Sequence, residues 1–278
     1  MRITQEKIKE FENYLKAEEK SASTIEKYVR DVIVFKEWLC KNSANKQSIV
    51  EYKIFLSNNY AVASVNAAIS SLKSFFGFCG KNNLKVKTVR CQRKIFISEQ
   101  KNLTRSEYEL LIDIAEKQES RRLSLIMQTI CTTGIRVSEL KFITVEAALS
   151  GQAEISCKGK IRLVILPKKL CAVLVEYAKE KGIKSGSVFL SRKGNPLDRS
   201  NIWSEMKNLC AKAGVPPEKV FPHNLRHLFA RTYYSAMKDI VRLSDVLGHS
   251  SLNTTRIYTM ETGEIHRRQI EELGLLRC

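Results

Sequence analysis

Residues 153–166 are the stretch that changes period: Ile155, Cys157, Ile161, Leu163 and Ile165 alternate with polar or β-branched neighbours around Lys158-Gly159-Lys160. Alternation of this kind suits a β-hairpin with Gly159 in its turn. One hairpin cannot build a sandwich, a barrel or a parallel sheet. Elsewhere apolar residues recur at helical spacing, so the expected fold is mainly α with a small antiparallel sheet.

The N-terminal signals are all helical. Thr4 precedes Ile8, Phe11 and Leu15, which predicts a first helix over 4–19. Ser23 and Glu26 read as a capping box opening a helix that carries Ile25, Val29, Val32, Phe35 and Leu39. Two more helical patterns cover 47–58 and 62–79, separated by Asn58-Asn59. Ala61, Ala63, Ala67 and Ala68 in the last allow close packing. The expectation is a small four-helix domain.

Composition then shifts. Lys81 to Lys94, KNNLKVKTVRCQRK, holds six basic residues and no acidic one. Lys85, Lys87, Arg90, Arg93 and Lys94 are candidate contacts to a phosphate backbone, against the plainer reading of a solvated loop. The expected division is an N-terminal domain over 1–88, a basic linker over 89–101 and a C-terminal domain over 102–278. After the linker, Thr104 and Glu107 form a capping box. Helices are expected over 105–117, over 121–132 ending at Gly134, and over Val137–Phe142. Beyond the hairpin they resume at 168–181, 198–213, 222–236, 239–246, 251–258 and 264–273.

Charge narrows the partners. The chain has 47 Lys plus Arg against 29 Asp plus Glu, a net +18 over 278 residues. Residues 1–100 carry 18 basic and 10 acidic side chains, so the excess is spread over both halves, as expected for contact with one long polyanion. The N-terminus MRITQEKIKE has no apolar signal region, and the longest uncharged run, Ile54 to Leu72, contains four Ser and three Asn. No membrane association is expected. Eight cysteines never form a Cys-x-x-Cys pair, which suggests reduced, core-filling thiols in the cytoplasm.

Three segments carry chemistry. Pro222 suits the first position of a helix, which then presents His223 and Arg226 on one face near free backbone N–H groups. That is an anion site. His223 and His227 have the four-residue spacing of a zinc helix, but Asn224 stands where the general-base Glu would be. In LGHSSLNTTRIYTM, Gly248 allows a sharp turn, and His249 precedes a helix capped by Ser250 or Ser251 with Tyr258 two turns along. In TGIRVSEL, Gly134 precedes Arg136, and Glu139 lies three residues on, placed to orient the guanidinium.

Together these segments resemble the tyrosine recombinase (phage integrase) family in its Xer-like, two-domain form. Its catalytic motifs stand in order: Arg136 in TGIRVSEL, Lys158 at the hairpin turn, HNLRH from His223 to His227, LGHSS around His249, and Tyr258. The N-terminal segments SASTIEKYVRDVIVFKEWL and VNAAISSLKSFFGFC are similar to that family's SAM-like core-binding domain, which clamps DNA. The resemblance implies cleavage and rejoining of duplex DNA through a covalent 3′-phosphotyrosine. Tyr258 would be the nucleophile, Arg136 and Arg226 the cations at the phosphate, and Lys158 the general acid. His223 would assist proton transfer and His249 would hydrogen-bond the phosphate. A phenol ordinarily ionises near pH 10, so such a nucleophile needs a base and a cationic site. The intermediate conserves bond energy, which implies no cofactor, neither metal nor ATP.

The same resemblance implies double-stranded DNA sites with inverted repeats and a homotetramer formed on them. The tail helix over Glu264 to Leu273, with Ile265, Ile270 and Leu273, would be exchanged between protomers; in solution a monomer is allowed. Two features depart from the family. The hairpin reads Cys157-Lys158-Gly159-Lys160-Ile161-Arg162 instead of Gly-Lys-Gly, leaving Lys160 as a second candidate acid. A glycine usual after the HNLRH helix is replaced around Met237-Lys238. The divergent hairpin favours a mobile-element enzyme over a chromosome resolvase. A type IB topoisomerase-like nicking-closing enzyme and a catalytically silent DNA-binding regulator are the alternatives.

Overall fold

The computed structural model describes residues 1–40, 42–90, 102–157, 160–191, 194–258 and 270–273, with only the backbone of Cys157 and Lys160. The chain divides into two compact units, Met1–Arg93 and Lys94–Cys278. In the first, Thr4 accepts a hydrogen bond from the Lys7 N–H and opens α1 (Gln5–Ala17). Helix α2 (Ala22–Trp38) is capped by Ser21, not by the expected Ser23 and Glu26 pair. Ser21 is the last extended residue (φ −61°, ψ 147°), so its hydroxyl reaches the Thr24 N–H while Ser23 is already helical. Asn45 and Ser48 cap α3 (Lys46–Asn59), which runs through Asn58-Asn59 and breaks only at extended Tyr60.

Helix α4 (Val62–Phe78) packs on α2. Val65, Ile69, Leu72, Phe75 and Phe76 are buried and the half-buried Ala68 packs against that core, whereas Ala61 and Ala63 are exposed. The core is aromatic, with Phe11 edge-on to Phe75 at 5.2 Å and Phe35 against Tyr52 at 4.9 Å. The basic segment continues this unit. Leu84 and Val86 are buried, Lys85, Lys87 and Arg90 are exposed, and Asn66 bonds both the N–H and the carbonyl of Val89.

The second unit opens with α5 (Arg105–Lys117), where Thr104 and Glu107 form the predicted reciprocal cap. Helix α6 (Arg121–Thr133) is buried on most of its surface and ends at Gly134, which is left-handed at φ 67°. The expected short helix over Val137–Phe142 is a 3-10 turn, with the Glu139 N–H bonded to the Arg136 carbonyl. Helix α7 (Val145–Ser150) leads into the hairpin of β1 (Gln152–Cys157) and β2 (Lys160–Ile165). The strands are antiparallel, from Gln152↔Ile165 to Cys157↔Lys160; Lys158 and Gly159, expected at the turn, lie outside the described residues. Helices α8 (Lys168–Glu180), α9 (Arg199–Ala213), α10 (Pro222–Met237) and α11 (Ile240–Leu247) follow. Ser251 caps α12 (Leu252–Thr255), which tightens to a 3-10 turn over Arg256–Tyr258 instead of continuing as one helix.

The architecture is therefore mainly α with one two-stranded antiparallel sheet, as the periodicity predicts. No described helix is long and apolar enough to cross a membrane. Among the described free thiols only Cys210 is fully buried; Cys40 is exposed, and Cys79, Cys131 and Cys171 are half-buried. Of the expected tail helix only 270–273 is described, with Ile270 and Leu273 exposed.

The glycine replacement has a backbone signature. Lys238 closes α10 in the left-handed region (φ 53°, ψ 19°) and donates its N–H to the Tyr234 carbonyl at 2.8 Å. Lysine thus holds a conformation that glycine adopts without steric cost. Lys238→Gly should raise the unfolding free energy by about 0.5–1 kcal/mol, read from urea denaturation. A lowered midpoint would show that the Lys238 ammonium over the Tyr234 ring outweighs the backbone relief.

Candidate active site

Gly134 makes the first corner of the site. A Cβ there would lie 2.4 Å from the Phe229 ring, so only glycine fits, and its carbonyl is left facing Arg226. Two residues on, Arg136 presents a guanidinium that is 43 % exposed. Glu139, only 2 % exposed, holds it: the carboxylate accepts from the Arg136 N–H at 2.7 Å and from Arg136 Nη1 at 3.0 Å. The other claim on Glu139 comes from Arg162 Nη2 on β2, at 2.7 Å. Burial acts to raise the Glu139 pKa, but the Arg136 N–H and the Arg162 charge outweigh it and hold the carboxyl below its ordinary value.

Helix α10 supplies the second corner. Pro222 stands at its first position, His223 follows, and Arg226 is 1 % exposed. Its guanidinium donates to the Gly134 carbonyl, to the Leu247 carbonyl at 2.8 Å and to His249 Nε2 at 2.9 Å. Burial, then the Arg136 charge, push the Arg226 pKa down to about 10, which leaves it cationic at neutral pH. One turn after His223, the His227 ring lies 4.5 Å from that of His223 and 4.9 Å from that of Tyr258, edge-to-face with both. His227 Nε2 is buried without a hydrogen-bond partner. Desolvation, followed by neighbouring positive charges, lowers the pKa of His223; the same causes take His227 to about 4.

The third corner is the turn after α11. Gly248 is left-handed (φ 64°), and a Cβ on it would meet Arg162 Cδ at 2.4 Å. Arg162 lies across this glycine and donates Nη1 to the Val246 carbonyl at 2.6 Å. His249 follows, with Nε2 on Arg226 and Nδ1 2.8 Å from Thr255 Oγ1. Burial and then Arg226, Arg136 and Arg162 bring its pKa down to about 4, so the ring is neutral at pH 7. Tyr258, 5 % exposed, stacks on His249 with ring centroids 6.1 Å apart.

Arg136, His223, Arg226, His249 and Tyr258, separate in sequence, are thus brought together, and the first three line a cleft of about 790 Å³. Arg199 and Trp203, from the start of α9, share that cleft. Three guanidiniums around one cleft suit a phosphate group. Lys158, Arg93 and Lys94 lie outside the described residues, as does the Lys160 side chain. Tyr233 packs on Phe229 further along α10, and Tyr234 lies under Lys238. No described group of three His, Cys, Asp or Glu side chains is placed to hold a metal ion. The motif reading passed over Thr255, quoted Arg162 only as part of the hairpin and weighed His227 only as a zinc ligand. For Arg162 the usable signal was register: it shares the inward face of β2 with Val164, while Ile161, Leu163 and Ile165 point outward.

Comparison with known proteins gives the same arrangement a lineage. Residues 101–264 match the model of the phage integrase family, and residues 8–82 match that of the phage integrase N-terminal SAM-like domain. Tyrosine recombinase XerA of Pyrococcus furiosus is 31 % identical over 281 residues, covering 99 % of this chain and 96 % of the relative. In fold, the chain is similar to XerH recombinase bound to its difH substrate before cleavage (TM-score 0.70, 22 % identity, 98 % of this chain and 85 % of that one). It is also similar to a lambda integrase tetramer bound to a Holliday junction (TM-score 0.73, 17 % identity, 91 % and 76 %).

The depressed histidines set a pH dependence. Unfolded histidine takes up its proton near pH 6.5, whereas native His227 and His249 stay neutral down to about 4. Between these values the unfolded chain binds more protons, so stability is lost as pH falls from about 6.5 to about 4. His227→Phe keeps a ring in place and should reduce that loss, measured as denaturation midpoint against pH. An unchanged slope in the variant would mean that His227 contributes nothing to it.

Proposed function

The chain belongs to the phage integrase family, the tyrosine recombinases, and from that membership and the site's geometry we propose that it breaks and rejoins duplex DNA through Tyr258. The observation that carries the reading is the seat of Tyr258 in its own chain, against His249 and His227, with His249 bonded to the buried Arg226. The Tyr258 oxygen attacks the phosphorus, its proton passing to a base for which His223 is the candidate. Charge on the non-bridging oxygens meets Arg136 and Arg226, fixed in place before the reaction starts. The bond from phosphorus to the 5′ oxygen breaks, and that oxygen takes a proton from Lys158, assigned by resemblance. Tyrosine is left esterified to a 3′ phosphate. Attack by a 5′-hydroxyl of another strand reverses each step and completes strand transfer without a metal or ATP.

Around this chemistry we place duplex sites with inverted repeats, in the cytoplasm with the cell's DNA, and the divergent hairpin favours a mobile element. Lys85, Lys87 and Arg90, exposed in a row, are the DNA-backbone contacts of the first unit, with Arg93 and Lys94 beyond them in sequence. The assembly is a tetramer on DNA, as the lambda integrase of the comparison is on its junction, closed by exchange of the tail helix.

A nicked half-site that loses a short 5′-hydroxyl fragment should trap wild-type protein covalently, with or without EDTA. Tyr258→Phe should bind the same DNA and never trap. Trapping by the Phe variant would move the nucleophile elsewhere, and loss of trapping in EDTA with rescue by zinc would replace this mechanism with a metal-dependent one. Deleting residues 263–278 should leave half-site binding nearly intact while sharply reducing cooperative filling of a two-armed site, measured by gel shift. Undiminished cooperativity would reduce the tail to a local cap.

A further inference from the structure

His249 has a proton that the surrounding donors and acceptors locate. A guanidinium has only donors, so Arg226 Nη2 at 2.9 Å requires a lone pair on His249 Nε2. The neutral ring then carries its hydrogen on Nδ1, where Thr255 Oγ1 accepts it at 2.8 Å. Thr255 is fully buried at the end of α12. The chain between the two residues folds back through the Ser251 cap, which brings the hydroxyl onto the ring.

We propose that Thr255 is a positioning residue that bonds His249 through Nδ1 in whichever tautomer Arg226 or a phosphate selects at Nε2. The inference rests on the functional reading above. To donate to a phosphate oxygen, His249 needs its hydrogen on Nε2, the nitrogen now facing Arg226. A hydroxyl is both donor and acceptor. When the phosphate takes over the guanidinium, the Thr255 O–H turns to donate to Nδ1 and the ring proton moves to Nε2, with no net gain or loss of protons. Thr255 supports the ring in both states. Valine, of the same shape, supports neither, whereas serine supports both.

The test pairs a spectrum with a rate. Nitrogen NMR of the DNA-free wild type should show His249, identified by its loss in His249→Asn, as a single Nδ1–H tautomer. In Thr255→Val the tautomer should persist, fixed by Arg226, while the Nδ1–H proton should lose the downfield shift of a hydrogen bond. Single-turnover trapping by Thr255→Val should slow about tenfold, the worth of one hydrogen bond. Half-site affinity should change less than about twofold, since no DNA contact is lost. Thr255→Ser should recover both the rate and the downfield Nδ1–H signal. A wild-type His249 protonated on Nε2 overturns the inference without any variant, and so does a Thr255→Val protein that traps at the wild-type rate. Failure of the recombinase reading looks different: the wild type would not trap at all, while the tautomer spectrum would still decide this inference.

Discussion

A buried cation must be solvated by something other than water, and for Arg226 the solvent is the carbonyl ends of two helices. Gly134 closes α6 and Leu247 is the last residue of α11; both carbonyls accept from the one guanidinium. Helix C-termini carry partial negative charge and unsatisfied carbonyls, which suits them to the task. Left unpaired, a charge buried this deeply would cost several kcal/mol. So α6, α10 and α11 must meet within one side chain's reach. Crowding at the meeting point excludes a Cβ at Gly134, where Phe229 presses, and at Gly248, where Arg162 lies. His249 follows that second corner directly and takes its place from it.

The helices were legible because two signals agreed along most of the chain: apolar spacing, and side chains able to cap. Thr4 and the Thr104 and Glu107 pair behave as their types suggest. Where two serines lie close together, composition could not choose between them. Backbone conformation favours Ser21 over Ser23. Lys238 shows the opposite limit, a residue whose type argues against the left-handed bend it makes. The bend survives because the chain must reverse between α10 and α11 to put Leu247 over Arg226.

The site was legible through the order of its motifs, not through any one residue. Arg136, His223, Arg226, His249 and Tyr258 each have an unremarkable reading alone, and only packing among three helices and two tight turns makes them neighbours. What stayed hidden acts through another side chain. Arg162 reaches Glu139 and Val246 because the strand turns it inward beside Val164. The apolar alternation of β2, read by itself, would have sent Ile161, Leu163 and Ile165 to the core, yet all three face out. Thr255 was hidden, and His227 was read only by its spacing from His223, for the same kind of reason, since their partners are set by tertiary contact.

Glu139 is one carboxylate serving two guanidiniums, while Arg226 beside them relies on carbonyls and an imidazole that stays neutral. The folded protein therefore concentrates more positive charge at this cleft than it neutralises. In thermodynamic terms the cleft is an open term in the folding equilibrium. An anion that binds there, and not to the unfolded chain, adds to stability in proportion to the logarithm of its concentration. Sulfate, phosphate and chloride buffers then cease to be interchangeable backgrounds for this protein. The choice of salt becomes part of what its melting temperature measures.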